Sequence, residues 1–154
     1  MLDFGCWNGT HSMYFASLGF KVFGADIIAD AIDQARERLP SGEFHLIKDS
    51  SDLLDIFGRD FDFVFANQVL YFLDDETLKM RLNEFYTMLK PGGLLFASML
   101  SRRSFYSRHS TGTESNGLEK IIFSEPTRFV GRTAFVRFTD DTSDLQHVFS
   151  MFKP

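Results

Sequence analysis

The stretch LDFGCWNG (residues 2–9) sets an apolar start and an acid ahead of two glycines, then runs into a helical pattern from Thr10. A strand that turns through glycine into a helix is how a nucleotide-binding turn reads, because a backbone without Cβ can approach a ligand closely. Trp7 interrupts that pattern with the bulkiest side chain available. A non-glycine residue resists positive φ. The turn is therefore expected either to adopt negative φ with the indole swung outward, or to lose ligand affinity.

Working outward, strand-like and helix-like stretches alternate as far as Met99, the pattern of a parallel α/β sheet. A helix is expected over Thr10 to Leu18, closed by Gly19 as a left-handed cap. KVFGA (Lys21 to Ala25) reads as the second strand. Ile28, Ile32, Ala35 and Leu39 fall at helical spacing before Pro40. FHLI (Phe44 to Ile47) is the third strand, with a short helix near Ser51 to Phe57, and FDFVFA (Phe61 to Ala66) the fourth. Asp74 or Asp75 is placed to cap a long helix carrying Leu78, Leu82, Phe85 and Leu89. KPGG (Lys90 to Gly93) turns the chain into LLFASM, the fifth strand.

After Met99 the rhythm breaks. Ser101 to Gly117 reads as a loop rich in Ser, Arg, Thr and Gly. Extended stretches follow near Lys120 to Phe123 and Ala134 to Phe138. A last helix, capped by Thr139 or Asp140, carries Leu145, Val148, Phe149 and Phe152.

The totals suit one domain over residues 1–154, with 1–99 and 100–154 as its two parts: 154 residues, 44% hydrophobic, net charge −5. Cys6 is the single cysteine, which fits a reducing, cytoplasmic setting. The apolar runs are strand-sized, far below the ~20 residues that span a bilayer. The acidic balance argues against a nucleic-acid partner, and no metal-ligand pattern is present. Between Ser98 and Arg137, however, seven Lys or Arg stand against three Glu, a local +4. That stretch reads either as a solvated surface or as a wall for an anionic substrate.

The D-x-G-C-x-x-G turn, Asp26 after the second strand and KPGG before the fifth resemble the class I S-adenosylmethionine-dependent methyltransferases of small-molecule type. The likeness runs from Leu2 to about Met99. It implies a Rossmann-like open parallel sheet with helices on both faces, here incomplete at both ends. A nicotinamide-binding domain would want G-x-G-x-x-G, whereas the glycines here are Gly5 and Gly9 with Asp3 ahead of them.

Carried over from the resemblance, Asp3 lies near the cofactor ammonium, and the backbone of Gly5, Cys6, Trp7 and Gly9 passes along the ligand. The amides from Gly9 to His11 favour its carboxylate. Asp26 accepts the ribose hydroxyls, with Ile27 beside it, although an acid there also suits a helix cap. Asp49 and Ser50 serve the adenine, with helix capping as the competing role for Asp49. Asn67 and Gln68 line the methyl group. No catalytic base is identified; Tyr71 and His109 are weak candidates and His11 a weaker one. The expected activity is methyl transfer to an oxygen or nitrogen of a small-molecule acceptor. The alternative, favoured by Trp7 and the short chain, is a degenerate cofactor-binding subunit without activity of its own.

Overall fold

The computed structural model describes residues 1–123 and 129–152; Arg128 of the basic stretch and the terminal Lys153-Pro154 lie outside the described residues. By contacts the chain divides into two compact units, Met1–Asn67 with Asn83–Ala97, and Gln68–Leu82 with Ser98–Pro154.

The first unit is built on a five-stranded parallel sheet in the order β3-β2-β1-β4-β5. Its strands are β1 (Leu2–Phe4), β2 (Phe23–Asp26), β3 (Glu43–Leu46), β4 (Phe61–Ala66) and β5 (Leu89–Ala97). The order reverses between β1 and β4, and open α/β sheets hold their ligands at the carboxyl ends of strands flanking such a switch point.

Side-chain alternation along β1 assigns the faces. Asp3 points to helix α1 (Thr10–Ser17), where Ser12 meets it, and Phe63, Phe65 and Phe15 form an edge-on aromatic cluster on that side. Phe4 points to the other face and packs on Phe85 of α4 (Asp75–Met88) at 5.1 Å. Helix α2 (Ala29–Arg38) buries Ile32 and Ala35 against Cys6 and Phe44. Each face therefore carries helices, as parallel sheets require.

Several boundaries differ from the sequence reading. The short helix α3 (Leu53–Phe57) begins two residues later than expected, because Asp52 caps it by accepting from Leu54 and Asp55. KPGG lies within β5 as an irregularity rather than ahead of it. Phe61 faces Leu89 while Phe63 faces Leu94, so the turn residues bulge out of the ladder with Gly92 at φ +81°.

The second unit corrects the reading of Ser101 to Gly117 as a loop. That stretch contains the end of β6 (Leu100–Ser101), a 3₁₀ turn over Phe105–His109 and β7 (Ser110–Thr113). Strands β7, β8 (Glu119–Ile122) and β9 (Thr133–Val136) form an antiparallel sheet, and β10 (Phe138–Thr139) pairs with β6. Tyr71, Ile121, Phe123, Val136 and Phe138 make the unit's core. Strand periodicity does not register over Ser101 to Gly117 because β7 is short and built from Ser, Thr and Gly, whereas β8 and β9 fall on the expected extended stretches. Helix α5 (Thr142–Val148) is capped by Asp141, not by Thr139 or Asp140, and it buries none of its residues.

Candidate cofactor site

The turn after β1 is stitched to the end of β2. The amides of Gly5 and Cys6 both donate to the Ala25 carbonyl, at 2.8 and 3.0 Å. The Trp7 amide donates to Asp26 Oδ2 at 2.8 Å, and the Ile28 amide to Asp26 Oδ1 at 3.0 Å. One buried carboxylate thus clamps the middle of the turn and the entry to α2. Helix α2 itself begins without a side-chain cap bond, so Asp26 closes a local turn rather than capping the helix. A carboxylate oxygen has two lone-pair positions, so each still has room for a ligand hydroxyl.

Gly5 and Gly9 lie at φ +74° and +77°. At Gly9 a Cβ would come within 3.0 Å of the Ala35 side chain, so glycine is required twice over, by hand and by the close approach of α2. Trp7 does not take negative φ. It sits at +47°, in the left-handed region, and its side chain is 55% exposed. Burial therefore offsets little of the strain, and the bond to Asp26 is what holds the backbone there. Gln68 is also left-handed at +57°, with its amide donating to Ser98 Oγ at 2.7 Å. Of three non-glycine residues at positive φ among the described residues, two are expected site residues. Strained backbone clusters at functional positions.

Asp3 is 1% exposed and accepts from Ser12 Oγ at 2.6 Å. Burial pushes its carboxyl up to about 6, while the Ser12 hydrogen bonds and nearby His11 pull the other way. It lies beneath the turn and ties β1 to α1. Cys6 is buried too, and desolvation raises its thiol above the ordinary range, so it packs as a protonated side chain. Its amide donates to the Ala25 carbonyl and its carbonyl accepts from the Gly9 amide, so its backbone is part of the turn's own bonding.

Helix α1 starts with no side-chain cap bond. The first-turn amides of Thr10 and His11 have no intrahelical partner, which favours an anion there. Ile27 is 63% exposed beside Asp26, leaving an apolar surface next to a carboxylate. Asp49 and Ser50 are exposed after β3. Capping no longer competes for Asp49, since Asp52 does that work. Asn67 is half-buried at the end of β4. Asp3, Gly5, Cys6, Trp7, Gly9, Asp26, Ile27, Asp49, Ser50 and Asn67 all belong to the first unit, and Gln68 opens the second.

These groups fit S-adenosylmethionine: unpaired helix-start amides for its carboxylate, an acid for its diol and an apolar surface beside that acid. The sequence signal that went unread was Ser12. A hydroxyl nine residues after an acid is common, and only the fold shows that it joins the two.

The second unit contains both weak candidates for a base. Burial raises the Tyr71 hydroxyl pKa, which suits a donor more than a base. His109 is 6% exposed. Arg102 is engaged by two carboxylates, Glu119 at 2.5 Å and Asp140 at 2.7 Å, and lies over the Phe138 ring. Arg103 and Arg108 are exposed.

A family model described as a methyltransferase domain matches residues 1–93. Among curated proteins, the chain is 29% identical over 104 residues to malonyl-[acyl-carrier protein] O-methyltransferase of Yersinia pestis, covering 68% of this chain and 38% of that protein. It is 33% identical over 104 residues to a ubiquinone biosynthesis O-methyltransferase of Chelativorans sp., covering 66% and 40%. Among solved structures, a SAM-dependent methyltransferase of Methanosarcina mazei superposes with a TM-score of 0.74 at 23% identity, over 97% of this chain and 76% of that one. The chain spans about 40% of the length of these curated relatives. With the match running from β1 into β5, through most of the sheet and the clamped turn, the chain belongs to the methyltransferase-domain family.

Proposed function

We propose that residues 1–154 act as one S-adenosylmethionine-dependent methyltransferase domain, passing a methyl group to an oxygen or nitrogen of a small-molecule acceptor. The observation that carries this is the left-handed turn from Gly5 to Gly9, clamped by Asp26 at the switch point of the sheet. When bound, the cofactor supplies a methyl carbon already activated by a sulfonium. The protein's part is to place it and to exclude water. Asp26 would hold the ribose hydroxyls with Ile27 against the base, and Asp49 and Ser50 would serve the adenine edge. The Thr10 and His11 amides would take the carboxylate. Asp3, from below the turn, would set the negative charge that suits the ammonium. Asn67 and Gln68 would stand at the methyl end.

Both relatives quoted above are named as O-methyltransferases, which supports oxygen as the acceptor atom. The exposed Arg103 and Arg108 would favour an anionic acceptor, whereas Arg102 is already neutralised. A single buried thiol accords with a cytoplasmic setting, and no helix among the described residues is long and apolar enough to cross a membrane.

Trp7 favours a second reading, a cofactor-binding subunit without turnover. Transfer of labelled methyl from S-adenosylmethionine into a metabolite pool separates the two. Label in a small molecule supports the enzyme. Binding of S-adenosylhomocysteine with no transfer supports the subunit.

A further inference from the structure

Helix α1 covers β1 and part of β4 on its face of the sheet and leaves β5 bare. The His11 ring sits 5.3 Å from Phe65, and Phe15 sits 5.5 Å from Phe63 and 4.9 Å from Phe65. In the next strand Leu94 pairs with Phe63 and Phe96 with Phe65, so both point to the α1 side, and Phe96 stacks on Phe65 at 5.0 Å. They are nevertheless 67% and 46% exposed. Leu18, three residues beyond Phe15 and so on the same flank, is 58% exposed. Phe20 lies 6.3 Å from Phe63 and is also open to solvent. All of these residues belong to the first unit.

Leu18, Phe20, Leu94 and Phe96, with the half-buried Phe15, Phe63 and Phe65 between them, present a continuous apolar surface of roughly 500 Å², at the upper end of what a monomer leaves open. Two copies meeting there would bury about 1,000 Å² in all, the size at which specific interfaces begin. The segments that build it, residues 9–20 and 91–101, contain no Asp, Glu, Lys or Arg, although the chain carries a net −5. A copy of the same surface therefore meets it without like-charge repulsion, whereas a nucleic acid or an acidic peptide would find no charge to pair with. Strand β5 is also the edge of the sheet, hydrogen-bonded to β4 alone among the described residues. Natural edges are blunted by a charge, a proline or a bulge. Here all three fall within residues 90–93, as Lys90, Pro91 and the irregularity at Gly92. Residues 94–97 carry none of them.

We propose that the edge of β5 and the adjoining flank of α1 form a homodimer interface, in which residues 94–97 of two copies pair antiparallel about a two-fold axis. Such an edge is its own complement, because the two-fold turns one row of donors and acceptors onto the same row. The axis stands perpendicular to the sheet, so both copies keep α1 on one side. Leu94 and Phe96 of each copy then meet across the seam as cross-strand neighbours, and the two five-stranded sheets become continuous.

In sedimentation equilibrium the whole chain should move from its 17.7 kDa monomer to twice that mass at micromolar concentrations, as suits an interface of this modest size. Leu94→Lys and Phe96→Lys, each at an exposed position, should weaken self-association about tenfold or more with the far-ultraviolet dichroism unchanged. Met13→Lys is the control. Met13 lies two residues before Phe15, about 200° round the helix, and is exposed on the opposite flank. Its replacement should leave the mass as it is. If either strand variant does not fold, Leu18→Lys tests the same surface from α1. Hydrogen exchange in the wild type tests the strand itself, since amides within residues 94–97 should gain protection as concentration rises. A wild-type chain that stays monomeric leaves the face to some other protein and overturns the proposal. A dimer that Leu94→Lys and Phe96→Lys leave intact overturns it too, because its contact lies elsewhere. Growth beyond the dimer does the same, since a closed two-fold pair stops at two.

Discussion

Asp26 has one task in the structure and a second in the proposed function, and the two separate by measurement. It holds the Trp7 and Ile28 amides, and under the proposed function it would also accept the ligand's diol. Asp26→Ala should weaken S-adenosylhomocysteine by roughly 1–3 kcal/mol in calorimetry, the range for a lost charged hydrogen bond. It should also lower the melting temperature without ligand, since two amides lose their acceptor. Unchanged affinity in a folded variant removes Asp26 from the site. For Trp7, glycine relieves left-handed strain worth about 1–2 kcal/mol but adds freedom to the unfolded chain. Trp7→Gly should therefore leave stability within about 1 kcal/mol and cofactor affinity equal or better; a tenfold loss of affinity would make the indole a contact.

Asp3 gives the site a pH dependence. Its carboxyl is pushed up to about 6 in the folded chain from an ordinary 3.8. The folded state thus binds the proton more tightly than the unfolded state. Its contribution is fully present below about pH 4 and is lost as pH rises through about 6, by roughly 1–3 kcal/mol. In urea unfolding across that window, Asp3→Asn should remove this decline. A parallel pH profile in the variant would assign the decline to other groups.

Among the elements, Gly9 and Asp52 are the sharpest tests. Gly9→Ala meets both Ala35 and a forbidden φ, and should destabilise by about 1–3 kcal/mol through displacement of α1 from α2. Asp52→Ala leaves the Leu54 and Asp55 amides uncapped, at a cost of about 0.5–2 kcal/mol in thermal unfolding.

What was legible in the sequence follows from the same physics. Strand β4 was read to the residue, because FDFVFA is an apolar run interrupted only by the exposed Asp62 and bounded by an acid and an amide. The turn, Asp26 and the parallel order were legible because glycine and acid positions are punctuation with a mechanism. The hand of Trp7 was not, since propensity argues against it and a bond from residue 26 overrides propensity. The second unit was legible only in part. The extended stretches expected near Lys120 to Phe123 and Ala134 to Phe138 fall on β8, β9 and β10, but Ser101–Gly117 carries turn-forming residues throughout, so β7 and the 3₁₀ turn gave no period to read. His109 was visible as a residue type, but its enclosure by Phe105 and Phe123 arises only when β8 returns beside the 3₁₀ turn.

At the scale of the whole molecule, ligand and fold are linked by mass action. A cofactor that binds only the folded chain should stabilise it by about 2.7 kcal/mol at a hundred times its dissociation constant. S-adenosylhomocysteine should accordingly raise the thermal midpoint in a concentration-dependent way in the wild type, and far less in Asp26→Ala. A midpoint indifferent to ligand would defeat the cofactor assignment for the whole chain. The turn after β1 also offers a readout without heat. The chain has a single tryptophan, and it is the half-exposed Trp7. Tryptophan emission from this protein therefore comes from that turn alone. An indole already in contact with water changes little in colour on unfolding, so Trp7 should be nearly silent to melting. A blue shift on adding S-adenosylhomocysteine would mean that a ligand covers the indole, and an unchanged colour would leave the indole outside the contact.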